Sequence, residues 1–198
     1  MERQTEEKDG KRIYTAEDCE ETGNGMCLTE KVIVVRPDVF PGSCGNQLYF
    51  CTGGNGAGAD PVGLAVSGVS LDNGEKICFK RSQVLGILKP QLIPEQAKLQ
   101  MSQIRPIGAV PLEGHAPLYS GYSFLEEGRY AAGVWLCSEK EAMDYVRMQR
   151  PYQYKVMLCD RDDFCVMEVV TGKLVFPDEE TLWKPQGQAD PGCMDLAQ

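Results

Sequence analysis

Turn-forming residues are frequent enough in this chain to point to many turns and short elements rather than long helices. The 198 residues include 21 glycines and 12 prolines. Both residue types break helices and strands, so short elements joined by turns are expected. The apolar runs between the breaks are rich in β-branched and aromatic residues, which is the pattern of strands. Val32-Ile33-Val34-Val35 reads as a buried strand closed by Arg36-Pro37-Asp38. Residues 47–52 and 62–71 read as the next two strands. Asp72-Asn73-Gly74 reads as a hairpin turn, because Asn-Gly supplies the positive φ of a type I′ turn, and residues 75–80 return from it. Pro94 suits the first turn of a helix, and Ala97, Met101 and Ile104 follow at i, i+4, i+7 as one apolar stripe.

Residues 105–117 hold three prolines and two glycines and read as a linker. Beyond it, residues 119–124 and 130–136 read as strands. Ser138 and Glu141 stand at capping-box spacing, with the Ser138 hydroxyl accepting from the Glu141 N–H and the Glu141 side chain reaching back. The spacing predicts a helix over 139–149, with Ala142, Tyr145 and Val146 on one face and Pro151 as its stop. Strands at 152–159, 164–170 and 173–176 follow, separated by turns at 160–163 and Thr171-Gly172. The expected fold is therefore α+β: two small modules, each a mainly antiparallel sheet with one helix. Residues 31–104 form the first module and residues 118–177 a ββαβββ second module. Residues 1–30 are expected to be a largely disordered arm and residues 178–198 an acidic tail.

The net charge of −9 is carried mostly by the ends. Residues 1–21 hold eight acids and four bases, residues 178–198 five acids and one base, and the middle 16 acids and 15 bases. Phosphate contacts need clustered Lys and Arg, so this distribution disfavours direct nucleic-acid binding. Lys76, Lys80, Arg81 and Lys89 offer only a small basic edge. The longest apolar run, residues 131–137, is far below the roughly 20 residues of a membrane-spanning helix, and no apolar stretch opens the chain as a secretory signal would. The expectation is a cytoplasmic protein with no membrane partner. Its nine cysteines are an odd number, and several lie inside strand-like runs. In a reducing compartment they read as free thiols that pack as small hydrophobes.

Four constellations could carry chemistry. The glycine-rich loop 53–58 follows a strand, and Gly54, Asn55 and Gly56 begin a G-x-G pattern. A phosphate loop needs a helix N-terminus next, whereas Asp60-Pro61 and another strand pattern follow here. A contact to a partner through these three residues is the functional reading; a connection between strands is the structural one. A cysteine nucleophile needs a base, and the one histidine, His115, falls in the linker. Metal-ligand spacing is missing: the closest pairs are Cys159/Cys165, Cys44/Cys51 and Cys19/Cys27, and the first pair could approach across a hairpin. The carboxylates of Asp160, Asp162, Asp163, Glu126 and Glu127 fall in turns, where acids bond to backbone or solvent. No catalytic residue, metal site or cofactor is implied. The aromatic residues concentrate in the second module, and Tyr145, Tyr152 and Tyr154 are the expected partner-binding face, since Tyr and Trp anchor interfaces.

Three segments carry a resemblance: Val32-Ile33-Val34-Val35-Arg36-Pro37, residues 48–56, and residues 84–94. Through them residues 31–104 resemble a domain of small accessory proteins from conjugative and phage-like mobile elements of gut bacteria, a family mostly of unknown function. The resemblance implies a setting in which accessory proteins counter host defence or assist transfer. The expected function is a non-enzymatic inhibitor or adaptor that binds a host or element-encoded protein, most concretely an anti-CRISPR-like one. The alternatives are a small-ligand or thiol enzyme using the glycine loop, and a nucleic-acid-associated accessory factor.

Overall fold

The computed structural model describes residues 7–8, 11–20, 27–39, 46–54, 65–111 and 113–178. Among them a two-residue ribbon pairs β1 (Glu7–Lys8) with β2 (Lys11–Arg12). Then come β3 (Cys19–Glu20), β4 (Val32–Val35), β5 (Leu48–Gly53), β6 (Ala65–Ser70), β7 (Lys76–Lys80) and β8 (Val84–Leu88), followed by helix α1 (Glu95–Ser102). The second half runs β9 (Tyr119–Glu126), β10 (Arg129–Leu136), α2 (Glu139–Gln149), β11 (Lys155–Cys159), β12 (Cys165–Val170) and β13 (Lys173–Phe176). Two antiparallel sheets result, ordered β3-β8-β4-β5-β6-β7 and β10-β9-β11-β12-β13. This is the α+β arrangement read from the sequence.

The six-stranded sheet curls. Four strand spacings separate β7 from β8, about 19 Å in a flat sheet. Yet only the three-residue 3-10 turn Arg81–Gln83 joins them, a reach of about 14 Å at most. The concave side encloses Ile33, Val35, Tyr49, Cys51, Val66 and Phe79. The other side sends Val32, Val34, Leu48 and Phe50 into a second cluster with α1 and α2. Val32–Val35 is therefore buried on both faces, which is why its sequence is continuously β-branched and does not alternate.

That second cluster is one core shared by both sheets. It holds Ala97 and Met101 of α1, Ala142, Tyr145 and Val146 of α2, and Leu136, Val156, Leu158 and Val169 of the five-stranded sheet. Polar ties cross the same layer. The buried Gln149 amide donates to the Met101 carbonyl at 3.1 Å, and Gln153 donates to Lys98 O at 3.1 Å. Tyr152 donates its hydroxyl to Glu30 O, and Arg147 pairs with the Glu30 carboxylate.

Four local expectations need correction. Part of the expected disordered arm is ordered: Tyr14 and Cys19 are buried, and β3 pairs with β8. The buried Gln47 amide causes this, accepting from Tyr14 N at 2.8 Å and donating to Tyr14 O at 2.9 Å and Val35 O at 3.0 Å. Helix α1 ends at Ser102, so Ile104 packs on the core from beyond the helix. At the Asp72-Asn73-Gly74 turn only Gly74 takes a positive φ, so the turn is not type I′; Thr171 and Gly172 both do, and that turn has the type I′ signs. At α2 the Ser138 hydroxyl accepts from Glu141 N at 3.1 Å as expected, but the Glu141 carboxylate reaches past the cap to Cys137 N at 3.0 Å. It also accepts from Val110 N at 2.8 Å and from Arg105, which fastens the 105–111 segment to the helix.

Candidate protein-binding face

In a sheet, directly paired residues share a face and alternate residues point to opposite sides. The register of the five-stranded sheet therefore assigns its paired side chains to a face. The side toward α1 and α2 carries Val134, Gly121, Leu158 and Met167 in one row, and Ala132, Ser123, Val156, Val169 and Leu174 in the next. The small residues here make room for Tyr145. A Cβ at Gly121 would lie 2.4 Å from the Tyr145 ring, and the Tyr145 hydroxyl bonds Ser123 Oγ at 2.6 Å.

The opposite side forms three rows: Trp135-Ser120-Cys159-Cys165, then Gly133-Tyr122-Met157-Glu168-Phe176, then Tyr130-Phe124-Lys155-Val170-Lys173. No helix lies on this side among the described residues. Trp135 is 54% exposed, Tyr130 55% and Phe176 44%. The rings are mutually supported. Tyr130 stands 5.8 Å from Phe124 and 6.3 Å from Tyr122, centroid to centroid. Gly133 leaves the space they occupy, since a Cβ there would meet the Tyr130 hydroxyl at 2.9 Å. Tyr122 donates to the Asp163 carboxylate at 3.0 Å, and the Lys155 ammonium sits 4.4 Å from the Phe124 ring centre. Lys155 also faces Glu168 at 3.8 Å, so the centre of the face is near neutral.

The structure overturns the choice of Tyr145 and Tyr152 as a binding face. Tyr145 has no exposure, and burial pushes its phenol far above the ordinary range. Tyr152 is 9% exposed, and burial raises its phenol to about 12. Tyr154 is half-buried and ties into the sheet through its backbone, with its N–H donating to Phe124 O and its carbonyl accepting from Thr171 N. Strand β11 begins only at Lys155, so strand alternation does not apply to Tyr152 and Tyr154. The usable signal lay in residues 120–124, where Gly121 and Ser123 alternate with Tyr122 and Phe124: small residues toward the helix, aromatic rings away. Gly54 is exposed with φ +62°, and a Cβ there would meet Ala65 O at 2.3 Å, so the position demands glycine for backbone reasons. Asn55 and Gly56 lie outside the described residues.

The thiols divide by burial. Cys19, Cys51 and Cys159 are buried, which pushes each to about 11 and away from nucleophilic use. Cys137 donates to the His115 backbone carbonyl at 3.9 Å, a contact that does not involve the imidazole. No group of three or more metal-ligating side chains occurs among the described residues. The Asp160 carboxylate accepts from Asp162 N at 3.0 Å and Phe164 N at 2.9 Å, closing the β11–β12 turn. An open cleft of about 620 Å³ lies between the β6–β7 hairpin, the end of α1 and residues 104–111. Of its two cations, Lys76 and Arg105, the second is already paired with Glu141. No helix of the described residues is long and apolar enough to cross a membrane.

Comparison with family models, with curated proteins and with solved structures finds no match to the chain.

Proposed function

We propose that the chain is a non-enzymatic adaptor or inhibitor that binds a partner protein through the outer face of its five-stranded sheet. One observation carries the reading: Tyr122, Phe124, Tyr130, Trp135 and Phe176 share a sheet face that no described element covers. Leaving such rings in water forgoes their burial energy, and rigid Tyr and Trp side chains are the usual anchors of protein interfaces. The chemistry of the face favours protein over nucleic acid. A base-stacking platform needs cations alongside its rings, and here Lys155 and Lys173 are offset by Glu168 and Asp163.

The test is binding by the full chain with Trp135→Ala and Tyr130→Ala. The partner captured by wild type should be bound about 30-fold more weakly by each variant, the loss of about 2 kcal/mol typical of an aromatic anchor. Unchanged capture with unchanged thermal stability would refute the face. A concentration-dependent dimer abolished by Trp135→Ala would identify the partner as a second copy. Binding to single-stranded oligonucleotide at low salt would instead support a nucleic-acid role. The anti-defence form of the proposal rests on the resemblance of residues 31–104 alone. Its test is a plasmid-interference assay in cells with an active CRISPR nuclease, where protection should disappear with Trp135→Ala.

A further inference from the structure

Two thiols stand side by side on the outer face. Cys159 of β11 and Cys165 of β12 are direct cross-strand partners. The adjoining pair, Asp160 and Phe164, is hydrogen-bonded, with Asp160 N donating to Phe164 O at 2.9 Å. Counted from that pair, and on the turn side of a register shift between Leu158 and Cys159 that leaves Val166 unpaired, Cys159 and Cys165 occupy a non-hydrogen-bonded site, the kind that in a regular ladder brings Cα atoms to about 4.5 Å and side chains closest. That separation falls inside the roughly 4.4–6.8 Å window of disulfides. The other described strand cysteines lack such a partner: Cys19 pairs with Leu88, Cys51 with Gly68 and Cys78 with Ser67.

We infer that Cys159 and Cys165 form a dithiol site that closes to an intramolecular disulfide with a low-molecular-weight disulfide as oxidant. Cys165 is half-buried and Cys159 is 2% exposed, which sets the order of events. The Cys165 thiol gives up its hydrogen bond to Met167 O (3.5 Å) and, as the thiolate, attacks one sulfur of glutathione disulfide, expelling a glutathione thiolate. The Cys159 thiolate then attacks the Cys165 sulfur and expels the second. Two protein thiols are oxidised, one glutathione disulfide is reduced to two glutathiones, and the two thiol protons end on them. Burial and Glu168 hold the Cys165 thiol above its ordinary value while Lys155 opposes them; burial, Cys165, Asp163 and Asp160 do so for Cys159. Closure is therefore slow at neutral pH and quickens as pH rises. The site is independent of whether the same face binds a protein.

The test is native full-length protein treated with glutathione disulfide, alkylated, and digested with trypsin without reductant. Arg161 lies between the two cysteines, so cleavage after Lys155, Arg161 and Lys173 places them on peptides 156–161 and 162–173. The expected result is one linked species of these peptides, about 2 Da lighter than their sum. Its formation should be roughly ten times faster at pH 8 than at pH 7, following the thiolate fraction, and absent in Cys165→Ser with an unchanged circular dichroism spectrum. Glutathione remaining on Cys165 without the link would overturn the inference. So would two free thiols while the exposed Cys78 becomes glutathionylated, or a closure rate that ignores pH.

Discussion

Gly121 and Tyr145 show how much of this molecule rests on single side chains. The Tyr145 ring occupies the volume a Cβ at residue 121 would need, and its hydroxyl pairs with Ser123 in a fully buried site. Gly121→Ala should therefore overpack the contact between α2 and β9 and destabilise by about 1–3 kcal/mol, read as a lower urea midpoint. Tyr145→Phe leaves the ring in place but strands the Ser123 hydroxyl, which should cost about 1–2 kcal/mol. If Gly121→Ala is neutral, the ring is not seated on β9. The aromatic richness of residues 119–154 was legible in the sequence, as was the shared helix face of Ala142, Tyr145 and Val146, but the packing of Tyr145 in the core was not. Which rings face water was not, because that depends on the register among β9, β10 and β11, and register is a property of pairing between distant segments.

At the scale of elements, the ordering of residues 14–20 and the fastening of residues 105–111 both depend on one polar side chain each. Gln47 satisfies both backbone groups of Tyr14, and Gly86 gives β3 room, since a Cβ there would meet Cys19 Cβ at 2.7 Å. Gln47→Leu should release β3 from β8, seen as faster amide exchange over residues 14–20 while β4 and β5 stay protected. Exchange that stays slow would show that Tyr14 and Cys19 hold the strand by packing alone. Glu141 does the second task. Burial raises its carboxyl, but the N–H groups of Cys137 and Val110 and the Arg105 guanidinium outweigh this and hold it below its ordinary 4.5. A depressed folded value means the unfolded chain binds more protons in this range. The stabilisation is complete above pH 4.5 and is lost as pH falls through the folded value. Glu141→Gln should cost about 2 kcal/mol at pH 7, and its gap from wild type should close as pH falls below 4.5. A gap constant with pH would remove Glu141 from this role. The strands and α2 were readable from β-branched runs, alternation and the Ser138 cap. The docking of the arm was not, because a lone Gln47 in an apolar strand gives no sign of which backbone it will satisfy.

For the whole molecule, the decisive feature is the shared core beneath the two sheets. Val34 and Phe50 of the six-stranded sheet belong to the same buried cluster as Tyr145, Leu158 and Val169. The Gln149, Gln153 and Glu30 bonds cross the same layer. Two modules joined only by a linker would melt separately, whereas modules that share a packed layer lose each other's burial when either unfolds. The chain has two tryptophans, so a Trp183→Phe background leaves Trp135 of β10 as the sole fluorescent reporter, on the sheet that lacks Val34. Val34→Ala in that background removes buried methyl groups and should lower stability by about 2 kcal/mol. The Trp135 transition should shift by that full amount and coincide with the far-ultraviolet circular dichroism transition. A Trp135 midpoint unmoved by Val34→Ala, with a separate earlier transition in the dichroism, would show that the sheets unfold as independent units and that their common core contributes no cooperativity.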